Sequence, residues 1–423
     1  ARAGPLPAWR RAEILDAAAA LLRERQEDFA RTIAVEAAKP IKTARGEAAR
    51  AVSTFTFAAT AARTLGGDLV PLEASEAGEG KLGFVVRVPI GVVAAISPFN
   101  FPLNLVAHKV APAIAAGCPV VLKPASQTPF SALALADLLL DECGLPPGWL
   151  SVVTGSGGEV GDPLVDHPAV AHISFTGSPP VGWAIRERAP RKKVALELGN
   201  NSPVIIEPSA DWQAAVGKIR VAGYSHAGQS CISTQRLFVH RSIHDELVEE
   251  LAGQVGALRV GDPLDEATDV SALISSDDTS RVKSWIEAAV DQGAKVAVGG
   301  TVEGRLLLPT VLTGAKAEMK VCSEEVFGPV VAVAAYDDVD DALRSANDTR
   351  YGLHAAIFTN ELDVALRAAR TLDFGGVLVN EVPTWRADQM PYGGVRDSGN
   401  TREGPAWAVR EMTEERLVVI HGW

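Results

Sequence analysis

The feature that most constrains the fold is a unit that recurs five times between residues 91 and 199. Each copy is a short run of Val, Ile, Leu and Ala, followed by a turn rich in Pro, Gly, Asn, Lys or Thr. The runs cover residues 91–97, 119–122, 150–153, 171–175 and 193–196. Helical stretches such as 107–116 and 130–142 separate them. Apolar strands that alternate with helices are typical of a parallel, doubly wound α/β sheet.

Polar or glycine residues follow each apolar run at its carboxyl end. Parallel strands end at one edge of their sheet, and ligands bind beyond that edge. We therefore expect these residues to converge there: Asn100, Lys123, the glycine turn 155–161, Gly177-Ser178 and Glu197. The glycine turn reads GSGGEVG and does not match the spacing G-x-G-x-x-G, so alone it is a weak dinucleotide signal.

Outside this region the pattern is also mixed α/β. Residues 9–38 predict one long amphipathic helix ended by Lys39-Pro40, and residues 45–63 predict a second. Residues 73–81 predict a turn and 82–88 an exposed strand, which a last strand at 416–421 can join. Alternating strands and helices resume at residue 236. These residues predict a second α/β unit.

Composition excludes several classes of function. A net charge of −12 disfavours nucleic acid and anionic membranes as partners. The longest uncharged apolar stretch, near 88–107, contains prolines and asparagines that a membrane helix would hardly tolerate. The four cysteines form no CxxC pair and the histidines no metal pair, so we expect neither disulfides nor a metal site. We expect a reducing cytoplasm, and we find no signal peptide before the first helix.

Cys231 is the first candidate for chemistry. It follows the predicted helix 212–226 in a turn of small residues, Gly228-Gln229-Ser230. In such a turn a thiol can be exposed and its own N–H can point at a reacting atom, as a nucleophilic cysteine requires. The alternative is a buried core residue, since free cysteine is among the most buried residue types.

Three other residues allow two interpretations each. Glu197 is a general base or a solvated cap, and Asn100 is an oxyanion donor or a loop residue. Lys123 binds nucleotide ribose and phosphate groups or is a surface charge. None of the three decides the function alone.

Together these residues lie in motifs that resemble the aldehyde dehydrogenase superfamily over nearly the whole chain. The family's PWNFP-like segment is matched by Pro98-Phe99-Asn100-Phe101-Pro102, and its KPAxxTP segment by residues 123–129. FTGS occurs at 175–178, ELGG as Glu197-Leu198-Gly199-Asn200, and GQxC at 228–231. EExFGP occurs at 324–329 and PxGGxxxSGxxREG at 391–404.

The resemblance implies a mechanism. The Cys231 thiolate attacks the aldehyde carbon, and the Cys231 N–H and the Asn100 amide hold the oxyanion. Hydride passes to NAD(P) and leaves a thioester, which a water activated by Glu197 hydrolyses. The implied cofactor-binding residues are Ser97, Pro98, Phe99, Lys123, Ser126, Gly155, Phe175, Gly177, Ser178, Leu198, Glu325 and Phe327.

One departure from the family and the lining of the substrate tunnel bear on specificity. Ser126 stands where many NAD-preferring members have a ribose-binding glutamate; without that carboxylate, and with Lys123 near, we expect NADP to be accepted. By position the substrate tunnel is lined by Phe101, Leu105, His108, Ser225, Ser230, Ile232, Trp385, Arg386 and Tyr392. Arg386 and His108 favour a small polar or anionic aldehyde, of the succinate-semialdehyde, lactaldehyde or phosphonoaldehyde kind. The alternative is that Arg386 is a solvated loop residue.

Two other functions remain open. An acylating relative would pass the thioester to coenzyme A or phosphate, but such members generally lack the base at Glu197. A catalytically silent, crystallin-like or scaffold protein would not need Cys231, Asn100 and Glu197 together. By analogy we expect a dinucleotide-binding domain (1–72 and 90–199), a catalytic domain (200–403) and an oligomerisation arm (73–89 and 404–423), with assembly into a dimer or tetramer.

Overall fold

Three helices form the first layer of the structure, a computed structural model that describes residues 4–422. They are α1 (Ala8–Glu24), α2 (Gln26–Ala37) and α3 (Ile41–Thr64). The prediction of one helix over 9–38 is wrong, because Arg25 has φ −102° and ψ 23° and divides it. The bend lets Leu22 before it and Phe29 after it both reach the core. The predicted domain segments 1–72 and 404–423 include residues 1–3 and 423, which lie outside the described residues.

An exposed arm follows the helices. Its strands are β1 (Leu69–Val70) and β2 (Lys81–Pro89), joined through two 3-10 turns at Leu72–Ala74 and Glu76–Gly78. The predicted turn and strand are therefore present.

The first large sheet is the predicted parallel sheet, with strand order β5-β4-β3-β6-β7. Its strands are almost entirely apolar because helices cover both faces. Its elements are β3 (Val92–Ile96), α4 (Asn104–Ala116), β4 (Val120–Lys123), α5 (Phe130–Asp137), β5 (Leu150–Val152), α6 (Asp162–Asp166), β6 (Val170–Thr176), α7 (Pro179–Arg188) and β7 (Lys193–Glu197). The fold class predicted from the sequence is confirmed.

The second sheet has seven strands in the order β10-β13-β14-β9-β8-β15-β16, parallel except for β10. The first elements of this second unit are β8 (Pro203–Ile206), α8 (Trp212–Tyr224), β9 (Arg236–His240), α9 (Arg241–Gly256), α10 (Ser276–Asp291), β10 (Lys295–Val298), β11 (Val302–Glu303), β12 (Leu306–Leu307) and β13 (Thr310–Thr313). Strands β11 and β12 pair with each other in a separate two-stranded sheet. The remaining elements of the unit are α11 (Lys320–Ser323), β14 (Val330–Tyr336), α12 (Val339–Asn347), β15 (His354–Phe358), α13 (Leu362–Thr371) and β16 (Gly376–Val379). The sequence analysis missed β8, an internal strand only four residues long.

The chain ends by returning to the first layer and the arm. Helix α14 (Pro405–Glu411) contacts α3 and α4, and β17 (Thr413–His421) pairs antiparallel with β2 along its whole length. The predicted pairing of the last strand with the arm is confirmed. The chain passes between the two large sheets near residue 200, while the proposed division into three domains stays a prediction.

Two classes of feature are absent from residues 4–422. No helix in this range combines the length and hydropathy needed to cross a bilayer. No group of three or more His, Cys, Asp or Glu side chains there is placed to hold a metal ion.

Candidate active site

Cys231 follows a backbone turn that contains several residues in the left-handed conformation. Helix α8 ends at Tyr224, and three successive left-handed residues follow, at φ 51°, 54° and 69°: His226, Ala227 and Gly228. A Cβ on Gly228 would lie 2.1 Å from the carbonyl oxygen of Gly328, so no other residue fits there. Left-handed non-glycine residues cost about 1–2 kcal/mol each. Such stored strain is typical of functional loops.

Asn100 faces the same turn from the loop after β3. Its Nδ2 donates to the backbone oxygen of Gln229 at 3.0 Å, which leaves the second amide hydrogen available. Within residues 4–422 the backbone N–H of Cys231 has no hydrogen-bond acceptor. The two groups predicted as oxyanion donors are therefore both able to donate to a ligand.

A buried ion pair holds the Asn100 loop in place. Lys39 and Glu47 are in direct contact and their side chains are fully buried. Lys39 Nζ also donates to the backbone oxygen of Asn100 at 2.6 Å. Glu47 Oε1 accepts from the N–H groups of Leu103 and Asn104 at 2.9 and 3.1 Å. The sequence analysis missed this pair, because no local pattern distinguishes Lys39, in the turn before α3, or Glu47, on α3, from surface charges.

The Cys231 thiol is held in a poorly solvated environment. Burial raises its pKa to about 12, and the carboxylates of Glu325 and Glu197 act in the same direction. The hydroxyl of Tyr392, 2.9 Å from Sγ, and the guanidinium of Arg386 act against them. Reactivity therefore depends on groups that favour the thiolate.

Glu197 is the last residue of β7, and its carboxylate has no hydrogen-bond partner in residues 4–422. Both carboxylate oxygens are buried and unpaired within the described chain, and the residue is 4% exposed. Burial raises its pKa well above the ordinary value, and the neighbouring Glu403 carboxylate adds to this effect. A solvated cap would be exposed, so the structure disfavours that alternative. A carboxylate of this kind is a candidate base, because its basicity is raised.

The Cys231 thiol opens into a cavity of about 100 Å³. Seven of the nine predicted tunnel residues line it: Phe101, Leu105, Ser225, Ser230, Ile232, Arg386 and Tyr392. The predictions for the other two are wrong. His108 is fully buried behind the wall, where burial lowers its pKa, and Trp385 is 52% exposed on the surface.

Arg386 is not a solvated loop residue, because its side chain is only 4% exposed. Its Nη2 lies 2.9 Å from Glu403 Oε2 and 3.2 Å from His108 Nε2. Arg50, on α3, also lines the cavity and is bound to Asp388 at 2.8 Å. The sequence analysis missed Arg50, whose partner is 338 residues away in sequence.

The predicted dinucleotide residues lie along the carboxyl edge of the first sheet. Lys123 ends β4, and its ammonium is buried against the Pro124 carbonyl at 3.1 Å; burial lowers its pKa. Ser126 is exposed and donates to the Gly155 carbonyl at 2.8 Å, so two of the predicted cofactor residues are hydrogen-bonded to each other. Ser97 Oγ is buried with no partner in residues 4–422, and Pro98 and Phe99 follow it. An unpaired buried hydroxyl fits a site meant for a polar ligand.

The next turn along this edge supports the same assignment. Gly177 follows β6, and a Cβ there would lie 2.6 Å from the ring of Phe175. Ser178 is the N-cap of the ten-residue helix α7. Leu198 is buried against Gly182 of that helix. A helix N-terminus is suited to a pyrophosphate.

Glu325 and Phe327 approach this edge from the second sheet. Burial raises the pKa of Glu325 to about 7, although the backbone N–H of Asn200 donates to its carboxylate at 2.9 Å. Phe327 has a φ of 49°, and its ring packs edge to face on Phe99, with centroids 5.8 Å apart. The predicted cofactor residues thus come together from both sheets.

Comparisons with known proteins agree with this geometry. A model of the Aldehyde dehydrogenase family matches residues 3–418. The chain is 48% identical over 413 residues to the 3-sulfolactaldehyde dehydrogenase of Priestia megaterium, covering 98% of this chain and 86% of that one. Aldehyde dehydrogenase 21 from Physcomitrella patens, solved in complex with the reaction product succinate, has a TM-score of 0.95 at 40% identity, covering 99% and 87%. Glyceraldehyde-3-phosphate dehydrogenase from Methanocaldococcus jannaschii, solved with NADP, has a TM-score of 0.94 at 40% identity, covering 98% and 90%.

Proposed function

The chain belongs to the aldehyde dehydrogenase family, and on that premise we propose that it oxidises a small anionic aldehyde to the carboxylic acid with NADP or NAD. The observation that carries the proposal is the pair of guanidinium groups, Arg50 and Arg386, beside Cys231 in one small cavity.

Cys231 is the proposed nucleophile. Its thiolate adds to the aldehyde carbon, and the carbonyl oxygen becomes an oxyanion. The Cys231 N–H and the Asn100 amide donate to that oxyanion, and each such donor typically contributes 10²- to 10³-fold to the rate. NAD(P), when bound, would supply the hydride acceptor for the former aldehyde carbon, and loss of that hydride would leave an acyl thioester on Cys231.

Glu197 is the proposed base for the second half of the reaction. It takes a proton from water, and the resulting hydroxide attacks the thioester carbon. The C–S bond then breaks, which releases the carboxylic acid and regenerates the thiolate of Cys231. Its unpaired oxygens and raised pKa suit this role. An acylating enzyme would need a second acceptor instead of this base.

Both NAD and NADP suit the cofactor residues at the carboxyl edge of the first sheet. Lys123, Ser126, Gly155 and Ser178 would hold the adenosine and phosphate groups, and Glu325 and Phe327 the nicotinamide end. Ser126 brings no negative charge against a 2′-phosphate, which supports acceptance of NADP. The relative from M. jannaschii was solved with this cofactor.

The substrate class follows from charge and size. A cavity of about 100 Å³ holds only a small molecule. Arg386 lies wholly within the site, and Arg50 is 29% exposed at its mouth, so a carboxylate, sulfonate or phosphate would find two cationic partners. The P. patens relative was solved with succinate, and the P. megaterium relative is named for 3-sulfolactaldehyde.

We also propose a homo-oligomer, a dimer or a tetramer, working in the cytoplasm. Three large apolar residues of β17 support assembly through the arm, since each is at least 44% exposed: Leu417, Val419 and Ile420. The three-domain division given above is part of the same proposal.

The test is a panel of aldehydes followed by absorbance of the reduced nicotinamide. The panel contains succinate semialdehyde, lactaldehyde, a phosphorylated aldehyde, a medium-chain aliphatic aldehyde and benzaldehyde, each with NAD and with NADP, and each with and without coenzyme A. We expect the anionic aldehydes to give the highest kcat/KM and NADP to be used. Preference for benzaldehyde or the aliphatic aldehyde would contradict the anionic substrate, and a requirement for coenzyme A would contradict hydrolysis.

A further inference from the structure

Tyr392 lies closer to the reacting sulfur than its place in the cavity wall requires. Its hydroxyl is 2.9 Å from Cys231 Sγ, and that sulfur is the hydroxyl's one hydrogen-bond partner in residues 4–422. At this distance either atom donates while the thiol keeps its proton. Once the thiol is ionised, only the phenol can donate.

The ring of Tyr392 is fixed without help from its hydroxyl. The guanidinium of Arg386 lies over one face, 3.8 Å from the ring centroid, and the ring of His354 packs against it with centroids 5.0 Å apart. The backbone N–H and carbonyl of Tyr392 pair with those of Glu403 at 3.1 and 2.6 Å. The hydroxyl is therefore held against the sulfur by contacts that a phenylalanine would keep.

The phenol stays protonated while the thiol ionises. Burial raises the pKa of Tyr392 well above its ordinary value, so it remains a donor throughout the working range. The other charged groups that face the sulfur are Glu197 at the end of β7, Glu325 in the loop after α11, and Arg386. Both carboxylates oppose the thiolate, and Arg386 is already paired with Glu403. The Tyr392 hydroxyl is thus the one direct donor to the sulfur among the described side chains.

We propose that Tyr392 is a catalytic residue whose hydroxyl donates a hydrogen bond to the thiolate of Cys231. This inference rests on the proposed role of Cys231 as nucleophile. The phenol keeps its own proton, while the thiol proton goes to solvent. The bond increases the thiolate fraction before attack, and it stabilises the same thiolate as leaving group when water breaks the thioester.

The experiment is the pH dependence of Cys231 alkylation by iodoacetamide, an uncharged reagent, in the full-length protein without aldehyde. Mass spectrometry of the peptide that carries Cys231 separates it from the three other cysteines. In Tyr392→Phe we expect the apparent pKa of alkylation to rise by about one pH unit, because a hydrogen bond to a charged group is lost. At any pH below the parent pKa, alkylation of Tyr392→Phe should therefore be about tenfold slower than alkylation of the parent protein.

Tyr336→Phe is the matched control. It removes another buried hydroxyl, one that contacts the Ile206 carbonyl and the Glu207 carboxylate far from the site, and its alkylation profile should equal that of the parent protein. An unchanged profile in Tyr392→Phe overturns the proposal. If KM for the aldehyde rises while the profile stays the same, the hydroxyl binds substrate instead. Aldehyde turnover by the parent protein is measured separately. Absence of turnover would contradict the proposed function, whereas an unchanged alkylation profile would contradict only this inference.

Discussion

Two buried regions meet at the loop of Asn100, and they differ in how their polar atoms are paired. On one side Lys39 and Glu47 satisfy each other, the Asn100 carbonyl and two backbone N–H groups. On the other side, among the residues that the structure describes, the Glu197 carboxylate has two unpaired oxygens and the Ser97 hydroxyl is unpaired. Buried polar groups without partners cost free energy, so a fold tolerates them where a ligand or reaction supplies the partner. We propose that the paired region is scaffold and that the chemistry takes place in the unpaired region.

The largest expected effect comes from the unpaired region. In Cys231→Ala no thioester can form, so kcat for any aldehyde should fall by about 10⁴-fold or more. Steady-state production of reduced nicotinamide measures this. Cys322→Ala is the control, since that thiol is also partly exposed but lies away from the cavity, and it should keep its activity. Activity that survives in Cys231→Ala would refute covalent catalysis by this residue.

Removal of the base should have the next largest effect. We expect Glu197→Gln to lower the steady-state rate by about 10²- to 10⁴-fold, because general base catalysis of deacylation is lost. A rapid-mixing burst of one reduced nicotinamide per subunit should remain, because acylation does not use the base. Loss of the burst together with the steady rate would place Glu197 in the first half-reaction.

The raised pKa of Glu197 also predicts the pH profile. As pH falls through that pKa, the carboxylate takes up a proton and no longer accepts one from water. The steady-state rate of the parent protein should therefore fall on the acid side at a pH above the ordinary glutamate value of about 4.3. The small residual rate of Glu197→Gln should lack this limb. An identical limb in both proteins would assign the titration to another group.

The paired region should respond in stability. Lys39→Met leaves the Glu47 carboxylate buried without its cation, and we expect the free energy of unfolding to fall by about 3–5 kcal/mol. Urea unfolding measures this. Lys42→Met is the matched control, because Lys42 pairs with Asp269 on the surface at 42% exposure and should cost less than about 1 kcal/mol. Equal losses in the two variants would contradict the prediction that the buried pair contributes more to the free energy of unfolding than the surface pair.

The smallest expected effect separates substrates. Arg50→Met should lower kcat/KM for succinate semialdehyde by about 10- to 100-fold through the loss of one charged hydrogen bond. The value for butanal, of similar size and no charge, should stay within about twofold of the parent value. Arg50 serves better than Arg386, because Arg50 is 29% exposed whereas Arg386 is 4% exposed. Its partner Asp388 also keeps contacts with Asn104 and His108 when Arg50 is removed. A parallel loss for both aldehydes would mean that Arg50 supports the fold rather than the substrate.

The same contrast explains what the sequence could predict. Cys231 follows a helix pattern, and Glu197 and Asn100 stand at or just after the ends of strand patterns, so local periodicity predicts where each lies relative to its element. The edge shared by Glu197 and Asn100 follows from the parallel strands. Lys39 lies in the turn between α2 and α3, and Arg50 lies on α3; at either place a cation is usually a solvated charge. Their partners are distant in sequence: Lys39 contacts a carbonyl 61 residues away and Arg50 a carboxylate 338 residues away.

Other errors have the same origin. His108 and Trp385 were placed in the tunnel by position alone, but packing turns one behind the wall and the other to solvent. Strand β8 is short and follows a polar turn, so no alternation identifies it. Local patterns predict elements and their ends, whereas side-chain partners across the core depend on the tertiary packing.

The central claim is that Cys231 carries the acyl group and Glu197 releases it. The most direct test is mass spectrometry of Glu197→Gln, quenched after mixing with NADP and succinate semialdehyde and digested to peptides. We predict that the peptide containing Cys231 gains the mass of a succinyl group in most molecules, whereas the parent protein shows little of it. An unmodified Cys231 peptide in an enzyme that still reduces NADP would contradict the account.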